Sequence, residues 1–294
     1  MYNYTSSPTV TNCIFTDNKA SHGGGMLNVN GAPTVTGCTF KNNIASNGDI
    51  GGGGMYNHNS SPKVTHCIFM GNSGGPVGGG GMFNATGSNP TLINCTFSNN
   101  SAVEKGGGIY NWNDTMPVLI NCTFHGNLAT DVGGGIYNLI NSSMTVTNCI
   151  LWGNEPNEIF DNSSSLTTVT YSDVKGGYSG EGNIDADPLF VDADGMDNIP
   201  GTADDELRLA YNSPCLDAGN STELWQADIW KDLEGKIRYF DVSGVTDIGI
   251  GPVTYIDMGA CEFSCSGLGG DLNCDGVVNL LDWCIFCQHW LEKN

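Results

Sequence analysis

Near the C-terminal end, Asp271, Asn273, Asp275, Asn279 and Asp282 occupy positions 1, 3, 5, 9 and 12 of one twelve-residue stretch, DLNCDGVVNLLD. Gly276 stands where such a loop must turn sharply, and the Val277 carbonyl falls at position 7. Oxygen ligands at that spacing wrap a hard cation, and Ca²⁺ fits their number and flexibility. A second acidic group, Asp192, Asp194, Asp197, Asp204 and Asp205, crowds into fourteen residues. Carboxylates this close repel, which either bound Ca²⁺ or plain solvation relieves. Glu104 and Asp131 each stand two residues before a glycine run. On neighbouring repeats they would lie near the separation of a retaining glycosidase pair, although loop charge for solubility explains them more simply. No arginine precedes Arg208, so these repeats offer no arginine base for an eliminating site.

Two columns of side chains also invite chemistry. After the glycine runs come Tyr2, Leu27, Tyr56, Phe83, Tyr110, Tyr137 and Phe160. Strand alternation turns this column away from the preceding Met/Ile column. With Met/Ile inward, Tyr56, Phe83, Tyr110 and Tyr137, reinforced by Trp112, form an outward strip able to stack on the C–H faces of sugar rings. The competing reading is that the rings stack on one another or lie under loops. Cysteines recur at Cys13, Cys38, Cys67, Cys95, Cys122 and Cys149. Equal-phase residues on adjacent strands sit about 4.8 Å apart with parallel side chains, whereas a disulfide brings its Cβ atoms to about 3.8 Å. These six are therefore expected to be reduced, buried small apolar groups. Cys215, Cys261, Cys265, Cys274, Cys284 and Cys287 lie in irregular segments where bridging is open; Cys284-x-x-Cys287, without a second such pair, reads as two core positions.

The elements that position these residues follow from the repeat. The cysteines recur every 25 to 29 residues, the period of a solenoid. Three residues before each Cys stands Val or Leu, and two residues after it Phe or Leu. The residue just before Cys is Asn12, Gly37, His66, Asn94, Asn121 or Asn148, types that tolerate a left-handed backbone, so two short strands meet there at a one-residue bend. A third strand carries Gly-Gly-Gly-(Met/Ile)-(Tyr/Phe/Leu)-Asn. Three short strands per turn predict an all-β right-handed parallel β-helix of about seven coils over residues 1–175, the seventh degenerate, with Ser172 in place of Cys. The opening MYNYTSSPTVTNC duplicates MYNHNSSPKVTHC from Met55 without its glycine run, so further coils and any secretion signal are expected upstream.

Glycine makes up 42 of 294 residues, about twice its usual share of roughly 7%, with no three-residue collagen period. Net charge is −21. Only five of the 31 acids precede residue 155, so the coils are nearly neutral and the remainder is strongly acidic. No basic stripe exists for nucleic acid, and no apolar run approaches a membrane span.

The coils carry FxxN (Phe15 to Asn18, Phe40 to Asn43, Phe69 to Asn72, Phe97 to Asn100, Phe124 to Asn127) beside GGG(M/I). This resembles the repeats of polymorphic outer-membrane proteins and, more broadly, the pectate-lyase-like β-helix superfamily, which implies fold but no single activity. Residues 176–263 contain DPLF, SPCLDAG, DLEGKIR and DMGACEF in order and resemble the choice-of-anchor Q type of terminal cap, which implies export and surface association. Residues 264–294 resemble one half of a dockerin type I module, a calcium loop followed by a short helix in an EF-hand arrangement. The resemblance implies a sorting or attachment tag, with a cohesin-like partner conceivable.

The leading expectation is thus a secreted or cell-surface protein that contacts extracellular polysaccharide or another surface component and carries a Ca²⁺-binding attachment module. The alternatives are a lyase or hydrolase fragment with its catalytic coils upstream, and a structural adhesin or autotransporter-type passenger.

Overall fold

The structure is a computed structural model that describes residues 1–263 apart from 47–50, 76, 163, 201, 203, 223–229 and 239–244. The expected dockerin-like helix and its calcium loop lie outside the described residues. Three parallel sheets of seven strands each run the length of a β-solenoid of about six complete turns. The first sheet begins with Tyr2–Tyr4 and ends with Ile159–Asp161, the second runs from Thr9–Thr11 to Leu166–Thr170, and the third from Ile14–Thr16 to Asp173–Val174. Register is strict: Val64 pairs with Val35 and Leu92, and Phe69 with Phe40 and Phe97. A feature not anticipated is a fourth, two-residue pairing before the glycine runs, as in Ser101–Ala102 against Leu128–Ala129.

The bend between second and third sheets is where the sequence places it. Asn12, Gly37, His66, Asn94, Asn121 and Asn148 all have φ between 51° and 62°. Val, Cys, Phe and Met/Ile columns fill one continuous interior. The phenylalanines stack face to face, Phe40 to Phe69 at 4.7 Å and Phe69 to Phe97 at 4.5 Å. That stack dictates the last glycine of each run. A Cβ on Gly81 would sit 2.7 Å from Phe97 Cδ1 and 2.8 Å from the Gly108 carbonyl oxygen.

Two interior columns are polar. Asn18, Asn43, Asn72, Asn100, Asn127 and Asn154 form a chain in which each Nδ2 donates to the next Oδ1 at 2.7–2.9 Å. From Asn43 onward each also donates to a phenylalanine carbonyl oxygen one coil back, as Asn100 does to Phe69. Asn3, Asn28, Asn57, Asn84, Asn111 and Asn138 form a second chain running the same way. Buried amides are tolerable because each Nδ2 along the columns donates to the next Oδ1 in line. Both chains end on a carboxylate, which accepts without donating: Asn154 donates to Glu158, and Asn138 to Asp161. Glu158 occupies that last-glycine position in the final coil. Space exists there because the phenylalanine column has given way to Leu151 and Val174.

The described residues between 176 and 263 lie in two places, over the last coil and along the side of the solenoid. Residues 176–186 stack over the last coil: Val174 N–H donates to the Ile184 carbonyl oxygen, and Tyr178 packs on the interior while its hydroxyl donates to Asp161. The following residues turn back along the outside of the solenoid. Met258 packs against Ile150, Ile256 against Ile93 and Ile120, and Phe190 stands edge-on to His125. The outward polar groups of the coils hold this flank segment: Asn148 exchanges two hydrogen bonds with Asn220, and Thr123 Oγ1 accepts from the Ala260 N–H.

Candidate functional site

The flank segment and the third sheet enclose a cleft of about 660 Å³. Thr39, Ile68, Met70, Thr96 and Ser98 form its floor, the outward residues of consecutive in-register strands. Asn12, Gly37 and His66 line it from the left-handed bend. The opposite wall is Asp204 to Arg208, Lys231, Leu233 to Gly235 and Cys261. Four carboxylates face two cations in that wall, and Arg208 pairs with Glu206. Lys231 is fixed through its backbone, whose carbonyl oxygen accepts from Asn94 Nδ2 at 2.6 Å and lies 3.3 Å from His66 Nε2. Hydroxyls, carboxylates and a guanidinium around an apolar floor can exchange hydrogen bonds with a hydroxyl-rich ligand while its C–H faces pack on Ile68 and Met70.

The residues singled out from sequence lie in several places. Glu104 and Asp131 are neighbours on adjacent coils, linked by a backbone bond from Asp131 N–H to the Glu104 carbonyl oxygen. Lys105 sits between them, 4.0 Å from Glu104 and 3.8 Å from Asp131, with both carboxylates largely exposed. That makes them an ionic clasp on the loop surface, with Lys105 also over the Tyr137 ring.

The aromatic column does point away from the interior, but Phe83, Tyr110 and Tyr137 are only 1–3% exposed. They pack on one another at 4.8–4.9 Å, with Val77, Val132, Trp112 and Leu139 packed against the cluster. Stacking on sugars through those three rings is therefore corrected: no face is open. Tyr56 and Trp112 are half-buried and keep some surface.

In the acidic loop, Asp197 N–H donates to Asp204, and Thr202 Oγ1 donates to Asp197. Asp192 stands opposite Glu206 in an antiparallel pair, and Asp205 accepts from Thr202 N–H. Asp194 is near enough to His125 to act on it electrostatically. Among the described residues no three carboxylates, histidines or thiols converge as metal ligands. Asp271, Asn273, Asp275, Val277, Asn279 and Asp282 lie outside the described residues.

Cysteine chemistry is muted. Cys38, Cys67, Cys95, Cys122 and Cys149 are buried and unbridged, and burial pushes the Cys95 and Cys149 thiols well above their ordinary range. Cys13 departs from the expectation: it lies on the first coil and is exposed. Cys215 and Cys261 are free thiols, and Cys215 Sγ donates to Asp173.

Sequence reasoning missed the cleft and the asparagine columns. The columns had a readable signal, since Asn28 shares strand parity with inward Met26. The cleft had none, because its wall and floor are far apart in the chain.

A family model described as right handed beta helix region matches residues 1–124. The Chlamydia polymorphic membrane protein repeat matches residues 121–139. No curated protein and no solved structure matches the chain. With the parallel coils described above, residues 1–174 form a β-solenoid of stacked repeats that is similar to the right-handed β-helix family over residues 1–124.

Proposed function

We propose that this is a surface-exposed β-helix protein that contacts extracellular polysaccharide in the cleft between coils and flank segment. The cleft carries the reading: three adjacent in-register strands line it, it is mixed in polarity and it is roomy enough for several hydroxyl-bearing rings. The similarity of residues 121–139 to a membrane-protein repeat supports display at a cell surface. Among the described residues no helix is long and apolar enough to cross a membrane. Attachment is assigned to Asp271 through Asp282 as a Ca²⁺ loop, supported by its ligand spacing.

The test is retention of the full chain on immobilised neutral and acidic polysaccharides. Thr39→Trp, which fills the cleft from its floor, should abolish retention without lowering the melting temperature. Retention that survives Thr39→Trp but fails in Tyr56→Ala/Trp112→Ala would move the contact to the aromatic column. Calcium is tested separately by titration calorimetry: Asp271→Ala/Asp275→Ala should remove a binding isotherm seen in the wild type, and a wild type without heat sinks the assignment.

A further inference from the structure

The flank segment is pinned through one buried ionic cluster built from the DLEGKIR and DMGACEF blocks. Asp232, Arg238, Asp257 and Glu262 are each no more than 1% exposed. Arg238 donates to the Gly259 and Ala260 carbonyl oxygens at 2.8 Å, to Asn94 Oδ1 at 3.0 Å and to Glu262 Oε2 at 3.3 Å. Asp232 accepts from the N–H of Lys236 and of Glu262. Asp257 accepts from the N–H of Asp217 and of Phe263. Glu262 Oε2 accepts one further N–H, from Asp257, and its Oε1 has no partner.

Three carboxyls thus face one guanidinium in a fully buried site. The remaining titratable groups of the flank nearby are Cys215, Asp217, Glu234, Lys236 and Cys261; from the coils come Asp173, bonded to the Cys215 thiol, uncharged Asn94 and Thr123, and His66 at the Lys231 carbonyl. Asp257 accepts an N–H on each oxygen, but the one guanidinium pairs with Glu262 instead, leaving the Asp257 charge without a counterion beside it. Glu262 in turn has a donor on only one of its two oxygens. Its neutral acid form is the cheaper one to bury.

We propose that residues 256–263 are an acid latch: docked on the coils, the segment holds protons at Glu262 and Asp257 that it gives up on release, so rising pH loosens it. Burial pushes Asp257 up to about 6 and Glu262 well above the carboxylate range. Both are raised relative to the free chain. Docking therefore takes up protons above the ordinary carboxylate range and weakens as pH climbs through about 6 and beyond. Cys261 and Glu234, beside the latch, belong to the cleft wall, so release opens the cleft. The latch does not depend on what the cleft binds.

Hydrogen exchange of the full chain between pH 5.5 and 8, corrected for intrinsic rates, reads the latch directly. The reporters are the N–H groups of Met258 and Gly259, bonded to Cys215 and Asn148, with the Met82–Ala85 strand of the first sheet as internal reference. Their protection relative to that strand should fall with pH, by up to about tenfold per unit for each proton released. Glu262→Gln and Asp257→Asn should each flatten the slope. Protection that is constant with pH in the wild type, or a slope unchanged in both variants, overturns the latch. So does restoration of protection at pH 8 by 1 mM CaCl₂, which would make a cation the balancing charge. Should Glu262→Gln fail to fold, the Asp257→Asn slope and the wild-type calcium arm still decide.

Discussion

At the residue scale, the interior is set by single side chains with fully committed hydrogen bonds. Asn100 donates to Phe69 and Asn127, and its Oδ1 accepts twice from Asn72. Asn100→Ala orphans several of those groups at once, at about 1–3 kcal/mol each, so urea unfolding should show a loss of roughly 3 kcal/mol or more. Asn100→Asp, which loses the donors and adds a charge, should be no better. The thiols give a second check. Under native conditions iodoacetamide should label Cys13 and leave Cys38, Cys67, Cys95, Cys122 and Cys149 unmodified, read by peptide mass spectrometry. A bridge between any two of the buried five would contradict the free thiols of the structure. Glu158 adds a pH signature. Burial raises it from the usual carboxylate value to about 7, with Lys175 acting the other way. The folded chain then binds a proton the unfolded chain has released, so this group's contribution falls between about pH 4.5 and 7. Asp173, raised to about 6, adds a slope of the same sign. Melting temperatures should decline across that window, and Glu158→Gln should remove only part of the decline.

At the element scale, the glycines answer two separate physical demands. Gly81 has no room for a Cβ, whereas Gly87 has nothing within 4 Å and needs only its φ of +67°. Gly81→Ala should therefore cost about 2–3 kcal/mol by overpacking and Gly87→Ala about 1 kcal/mol by backbone strain, a ranking denaturant titration can reverse or uphold. The coil was legible because such demands repeat. Asn12 through Asn148 announce the bend by residue type, and the Val–Cys–Phe spacing announces two inward strands. Inward asparagine was not legible while polarity was taken to mean exposure. Strand parity carried the information, and six amides in line remove the desolvation cost that one alone would incur. The covered rings went unread for another reason. What buries Tyr110 is Val132 and its neighbours on loops, and no period in the sequence encodes loop paths.

At the scale of the whole molecule, the flank segment is the part least visible in the sequence. Its anchors span large separations, 144 residues between Arg238 and Asn94 and 137 between Ala260 and Thr123. The four sequence blocks between 176 and 263 were recognisable as blocks, yet only the fold brings Asp232, Arg238, Asp257 and Glu262 to one place. Asn94→Ala, removing an acceptor from Arg238 and a donor to Lys231, should leave the coils intact by far-ultraviolet circular dichroism. It should nonetheless speed protease cleavage within 187–263 severalfold; unchanged cleavage would mean that the flank is held elsewhere. The asparagine columns have a further consequence. Since every amide in them faces the same way, the solenoid has a head and a tail, and each coil is a complete cassette bringing one acceptor to its predecessor and one donor to its successor. A gene for such a chain can lengthen or shorten by whole coils without orphaning a buried group, provided the carboxylate-bearing coil stays last. Excising the cassette from Gly24 to Gly52 should therefore give a shorter protein that still melts cooperatively, whereas a cut of half that length would strand both columns out of phase.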